Sequence, residues 1–160
     1  MADISITVTL IDDHLLLSES LGKLLRRYEF IKDIQTFKSP EEFLAAKSAT
    51  EPDIIISDIL MPGMSGIDLL THYKKINKKL KIILLSSIIE VQTIRHAMRN
   101  GASGYLAKDT SPDELADAIL TVYHGEPYIG ESLRKSLIRN SFTEEQFVYN
   151  LSPREKEVLK

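Results

Sequence analysis

Five short apolar segments, each closed by a polar residue and each followed by a stretch of helical periodicity, constrain this chain more than any other feature. Ile4 to Ile11 reads ISITVTLI, alternating and then running apolar, and stops at Asp12-Asp13. From His14 to Tyr28, the residues Leu17, Leu21, Leu24, Leu25 and Tyr28 recur at the three-and-four spacing of one helical face. IQTF at 34–37, DIIIS at 53–57, KIILLS at 81–86 and GYLA at 104–107 repeat the scheme. In IIIS and IILL the apolar residues are consecutive, as a strand covered on both faces requires, and such strands belong to parallel sheets flanked by helices. The pattern predicts an α/β protein with a doubly wound, five-stranded parallel sheet, (βα)5.

Helix starts share one device. Ser39-Pro40-Glu41-Glu42, Ser111-Pro112-Asp113-Glu114 and Ser152-Pro153-Arg154-Glu155 each supply a serine cap, a first-turn proline and a glutamate that reaches back. The third opens a helix at Pro153, and the sequence stops at Lys160, so the expectation is that a following domain has been cut off. Residues 125–150 read as a helical linker, with turn chemistry at Gly125-Glu126-Pro127, an amphipathic piece from Ser132 to Ile138 and a capping box at Thr143-x-x-Gln146. Residues 1–124 are then one domain, and 151–160 the start of the next.

Composition removes several classes. With 160 residues, 43% of them apolar, the chain can bury one core of ordinary domain size. Its 20 basic and 23 acidic side chains leave a formal charge of −3, which gives no whole-molecule attraction to nucleic acid. It has 0 cysteines, so disulfides, thiolate zinc sites and iron–sulfur clusters are excluded, and a reducing compartment fits. No run approaches the roughly 18–20 apolar residues of a membrane span, and MADISITV is not a secretory signal. The cytoplasm, away from membranes, is the expected location.

Ligands of an open parallel sheet bind at the carboxyl ends of its strands. There the chain carries Asp12 and Asp13 after strand one, Asp58 after strand three, Ser86 and Ser87 after strand four, and Lys108 after strand five. A strand order of 2-1-3-4-5 brings these residues to one rim. Three clustered carboxylates repel, and a hard divalent cation with oxygen ligands relieves them, magnesium being the natural choice. With Lys108 opposite, such a site neutralises phosphoryl oxygens while a carboxylate accepts the group. Each residue also has a plainer role: Asp12 and Asp13 as helix caps, Asp58 as a turn former, Tyr105 as a strand aromatic. Only their joint placement after four successive strands favours phosphoryl chemistry.

Asp12-Asp13, the stretch Ser57-Asp58-Ile59-Leu60-Met61-Pro62-Gly63-Met64-Ser65-Gly66, Leu85-Ser86 and Gly101-Ala102-Ser103-Gly104-Tyr105-Leu106-Ala107-Lys108 closely resemble the receiver domain of bacterial two-component response regulators. The resemblance spans residues 4 to about 124 and implies a flavodoxin-like fold of strand order 2-1-3-4-5. Leu151-Ser152-Pro153-Arg154-Glu155-Lys156-Glu157-Val158-Leu159 resembles the opening of the LuxR-type helix-turn-helix output domain of nitrate-responsive and quorum-sensing regulators. The resemblance implies a phosphorylation-switched regulator of transcription rather than an enzyme, reaching DNA only through that missing domain. Carried over by residue, Asp58 accepts a phosphoryl group from a sensor histidine kinase, and Asp12, Asp13, Asp58 and the Leu60 carbonyl hold magnesium. Ser86 and Lys108 contact the phosphoryl oxygens, and Tyr105 turns inward as Ser86 moves. A homodimer on phosphorylation is a further implication.

Leu60 and Ile88 lie two residues beyond Asp58 and Ser86, where a polar side chain could orient an attacking water; both are apolar, so slow dephosphorylation is expected. Two alternatives stand beside this reading. An aspartate-dependent phosphatase shares the chemistry but carries its nucleophile in Asp-x-Asp after the first strand, against Asp12-Asp13-His14 here. A phosphorylation-independent adaptor requires none of these residues. His14, His72, His96 and His124 show no paired metal-ligand spacing, and Lys74 to Lys81 reads as a solvated helix end.

Overall fold

The structure is a computed structural model that describes residues 4–46, 51–77, 79–87 and 90–139. Strands and helices alternate as β1 (Ile6–Ile11), α1 (Leu15–Leu25), β2 (Ile31–Phe37), α2 (Pro40–Ala46), β3 (Ile54–Asp58), α3 (Gly66–Ile76), β4 (Lys81–Ser86), α4 (Val91–Arg99), β5 (Gly104–Ala107), α5 (Pro112–Tyr123) and β6 (Tyr128–Ile129). All pairings are parallel, in the order β2-β1-β3-β4-β5-β6. The doubly wound sheet and its 2-1-3-4-5 order are as expected; β6 is an addition.

Two cores explain the consecutive apolar residues. Ile54, Ile56, Ile83 and Leu85 face one side, with Leu25 of α1 and Leu115, Ile119 and Val122 of α5. Their neighbours Ile55, Ile82 and Leu84 face the other, with Phe43 of α2, Leu69 and Leu70 of α3 and Ile94 of α4. Each apolar residue fully buried in this way contributes about 1.5–3 kcal/mol, and a strand buried on both faces is apolar along most of its length.

The structure corrects the sequence reading in three places. The buried face of α1 is Ser18, Gly22 and Leu25, whereas Leu17 and Leu24 are exposed. Leu25 is in the core, and Leu21 and Tyr28 pack against it, so part of the leucine face does turn inward. β2 begins at Ile31 rather than Ile34, the exposed Lys32 and Asp33 hiding its first turn of the pleat. The segment after α5 is not helical throughout, since β6 joins the sheet before helical residues 131–139 begin. Leu133 in that stretch is buried with Tyr105 and Ile94.

Two of the three serine caps form, Ser39 Oγ accepting from the Glu42 amide at 3.1 Å and Ser111 Oγ from the Glu114 amide at 3.1 Å. The third, with the rest of 140–160, lies outside the described residues. A full capping box that the sequence reading did not mark opens α3, where Ser65 and Asp68 exchange side-chain and backbone bonds. Within the basic run, Lys74 Nζ donates to the Leu80 carbonyl at 3.1 Å and Lys81 Nζ to the Tyr123 carbonyl at 2.7 Å, so both lysines serve the fold. Among the described residues, no helix is long and apolar enough to cross a membrane.

Candidate functional site

Parallel register assembles the rim. Ile11 pairs with Ser57, Asp58 with Leu85 and Ser86 with Ala107, so the residues that follow these positions emerge side by side. Asp58, the last residue of β3, is 4% exposed, Asp12 is 8% exposed and Ser86 is fully buried. The Lys108 amide donates to the Ser86 carbonyl at 3.0 Å, which holds the start of the β5–α5 loop against β4. From there Lys108 Nζ reaches Asp58 Oδ2 at 2.6 Å and lies 3.7 Å from Asp12 Oδ2. Burial alone would lower the Lys108 pKa, but the hydrogen bond to Asp58 and the charges of Asp12, Asp58 and Asp13 outweigh it and raise the value.

One ligand atom from each of Asp12, Asp13, His14 and Asp58 falls within 4.8 Å of the others. Three carboxylates against one lysine leave an excess of negative charge on hard oxygen donors, and that donor set fits magnesium. His14, set aside in the sequence reading, stands at the edge of this group, with Nδ1 3.1 Å from Asp12 Oδ1, 3.2 Å from Asp13 Oδ1 and 3.2 Å from Lys108 Nζ. Only its position directly after the acidic pair could have signalled it.

Leu60 donates its amide to Asp58 Oδ1 at 3.3 Å, while its side chain is 54% exposed. Ile88 lies outside the described residues. Tyr105 is fully buried, and its hydroxyl is hydrogen-bonded with the Ser86 side chain. Burial pushes its pKa up. In this structure the Tyr105 ring lies inside the core.

Two further residues shape the loop after Asp58. A Cβ on Gly66 would lie 2.5 Å from the Asp58 carbonyl oxygen and 3.1 Å from the Ile59 Cα, so α3 can start this close to β3 only with glycine there. Glu41 of α2 accepts from the Met64 amide at 2.6 Å, and that bond holds its carboxyl below the usual range. Neither long-range role is visible from spacing.

Comparison with known proteins agrees with this geometry. Residues 8–120 match the response regulator receiver domain. The nitrate/nitrite response regulator protein NarL of Escherichia coli is 31% identical over 158 residues, covering 96% of this chain and 73% of the relative. The response regulator protein VraR of Staphylococcus epidermidis is 29% identical over 156 residues, covering 97% and 74%. A LuxR family DNA-binding response regulator from Silicibacter pomeroyi superposes with a TM-score of 0.68 at 25% identity, covering 79% of this chain and 98% of that one. A LuxR family two-component response regulator from Aurantimonas, 23% identical, shares the fold with a TM-score of 0.80 over 86% of this chain and 99% of that one. An acidic rim on a 2-1-3-4-5 parallel sheet, matched across residues 8–120, makes this chain a member of the response regulator receiver domain family.

Proposed function

We propose that Asp58 accepts a phosphoryl group from a sensor histidine kinase and that the phosphorylated rim changes which surface the domain presents. The observation that carries this reading is the buried Asp58 carboxylate held 2.6 Å from Lys108 Nζ beside two further aspartates. In the transfer, an Asp58 oxygen forms the new P–O bond, the P–N bond to the donor imidazole breaks, and that nitrogen keeps the electron pair. Asp12, Asp13, Asp58 and the Leu60 carbonyl would hold magnesium, which supplies charge neutralisation at the phosphoryl oxygens. Lys108 pairs with one of those oxygens once its bond to Asp58 is given up. Ser86 bonds another, and Tyr105, already bonded to Ser86, registers the change. Phosphorylation adds about −1.5 to −2 charge in a site that already has a negative excess, so these contacts have a large imbalance to answer. The output is control of transcription through a DNA-binding domain beyond the described residues, with a homodimer as the phosphorylated form and the cytoplasm as the location.

Intact-protein mass after incubation with acetyl phosphate and magnesium tests the reading. A gain of about 80 Da is expected in the wild type and none in Asp58→Asn, with a change in elution volume on a sizing column for the phosphorylated sample. No gain in the presence of magnesium would move the assignment to a phosphorylation-independent adaptor.

Loss of the phosphoryl group is slow in this reading because the half-exposed Leu60 side chain offers no polar atom to hold a water beside Asp58. Leu60→Asn is expected to shorten the phosphoryl half-life several-fold, less than the roughly 10²–10⁴ contributed by a fully positioned proton-transfer group. An unchanged half-life, followed by the decay of the mass gain, counts against it.

A further inference from the structure

The geometry points to Glu114 as a clasp that couples the β5–α5 loop carrying Lys108 to the segment leaving the domain, residues 126–139. Glu114 sits in the first turn of α5, where the Ser111-Pro112-Asp113-Glu114 pattern assigns it the role of reaching back to the helix cap. Its oxygens go elsewhere. Oε1 accepts from Thr110 Oγ1 at 2.8 Å, and Oε2 accepts from the Glu131 amide at 3.2 Å and the Tyr128 hydroxyl at 3.3 Å. A carboxylate has about four acceptor positions, so it can serve donors from three elements at once.

Each donor marks a different piece of chain. Thr110 lies two residues beyond Lys108, and its amide is fixed to the Ala107 carbonyl at 3.0 Å. Tyr128 opens β6, whose partner residues in β5 are Gly104 for Tyr128 and Tyr105 for Ile129. The Glu131 amide is among the first-turn donors of helical residues 131–139, donors that a helix cannot satisfy internally. That helix start therefore takes a bond from α5. Arg134, one turn on, adds its charge, and its guanidinium lies over the Tyr128 ring at 5.5 Å from the centroid. Burial alone would raise the Glu114 pKa; the bonds from Thr110, Glu131 and Tyr128 and the Arg134 charge bring it below the ordinary value. The segment passes over β5 in ordinary contact, a Cβ on Gly130 lying 3.5 Å from the Leu106 Cα and 3.7 Å from Glu114 Oε1.

The segment is also held by two ladder pairs, by Leu133, which is 2% exposed, and by Tyr128, Ile129 and Leu137 packed against the core. To that packing the Glu114 carboxylate adds charge-assisted bonds, which are stronger than neutral ones. Coupling follows from Thr110. A phosphoryl group on Asp58 draws Lys108 off its 2.6 Å contact, the loop shifts, and the Thr110 hydroxyl that shares Glu114 with the segment shifts with it. This last step rests on the phosphorylation proposed above.

Amide hydrogen exchange on the full 160-residue chain, read by mass spectrometry, tests the clasp. Glu114→Ala is expected to speed exchange across 126–139 about tenfold or more, with β1 amides unchanged as the control for folding. Glu114→Gln should retain most of the protection, since its amide oxygen can still serve Glu131 and its NH2 can donate to Thr110. Thr110→Val should speed exchange across 126–139 a few-fold, without any phosphoryl donor. Wild-type exchange in Glu114→Ala, or loosening in Glu114→Ala with none in Thr110→Val, overturns the coupling. The same samples with acetyl phosphate separate the two proposals: absence of the mass gain counts against phosphorylation alone, whereas a phosphorylated wild type with unchanged exchange at 126–139 overturns the clasp.

Discussion

Lys108→Met is expected to lower the stability of the domain in EDTA by about 1–3 kcal/mol, and magnesium is expected to restore most of that loss. Removing one member of a buried ion pair costs roughly 3–5 kcal/mol because the partner charge is stranded. The lysine side chain is 22% exposed, so water screens part of that, and the expectation is set lower. What remains in the variant is Asp12, Asp13 and Asp58 without their internal cation, a stronger site for an external one. Urea titrations with EDTA and with magnesium should therefore show a larger magnesium response in Lys108→Met than in the wild type. Equal stability in EDTA and an equal magnesium response would mean that the three carboxylates do not repel enough to matter. Because the folded Lys108 pKa is raised, its stabilisation is complete below the unfolded value of about 10.4 and is lost only as pH rises through the folded one. The difference between wild type and variant should hence stay constant with respect to lysine titration from neutral pH to about 9.

Tyr105→Ala should cost about 3–5 kcal/mol, the usual range for deleting a buried aromatic ring. Tyr105 is among the largest fully buried side chains and packs with Ile94, Ala97 and Leu133, so its loss opens a cavity between β5, α4 and helical residues 131–139. Tyr105→Phe keeps the ring and removes the hydroxyl with its bond to Ser86, for about 1 kcal/mol. Denaturant midpoints at constant slope measure both, and an alanine variant that loses under about 1 kcal/mol would show that the surrounding side chains close the space. The difference of about 2–4 kcal/mol between the two variants also separates packing from the hydrogen bond.

Strands β4 and β5 could be read to the residue because a two-faced parallel strand has a continuous apolar centre, IILL in β4 and YLA in β5, whose flanks mark its ends. The rim was legible for the same reason: once the strand ends are known, parallel register delivers Asp12, Asp58, Ser86 and Lys108 to one edge. β2 was harder, since an outer strand tolerates Lys32 and Asp33 within it. In α1 the leucine spacing was right for Leu21, Leu25 and Tyr28 but not for Leu17 and Leu24, since Ser18 and Gly22 also lie on the buried face. β6 is two residues long, too short for any periodicity to register. Gly66, Glu41 and Glu114 act on residues distant in sequence, or on backbone brought close by folding, and local pattern carries no trace of those contacts.

β6 also decides what this sheet offers to other chains. At one margin stands β2, where Lys32 and Asp33 place charge along an open row of backbone groups and discourage another strand from adding there. β5 has no such protection: it reads Gly104-Tyr105-Leu106-Ala107, with neither charge nor proline. By pairing with it and leaving only a two-residue margin, β6 hides an apolar template that would otherwise invite strand addition and aggregation. A form of the chain ending before Tyr128 should accordingly be less soluble than its formal charge alone would suggest, which makes the segment after α5 part of what keeps this protein dispersed.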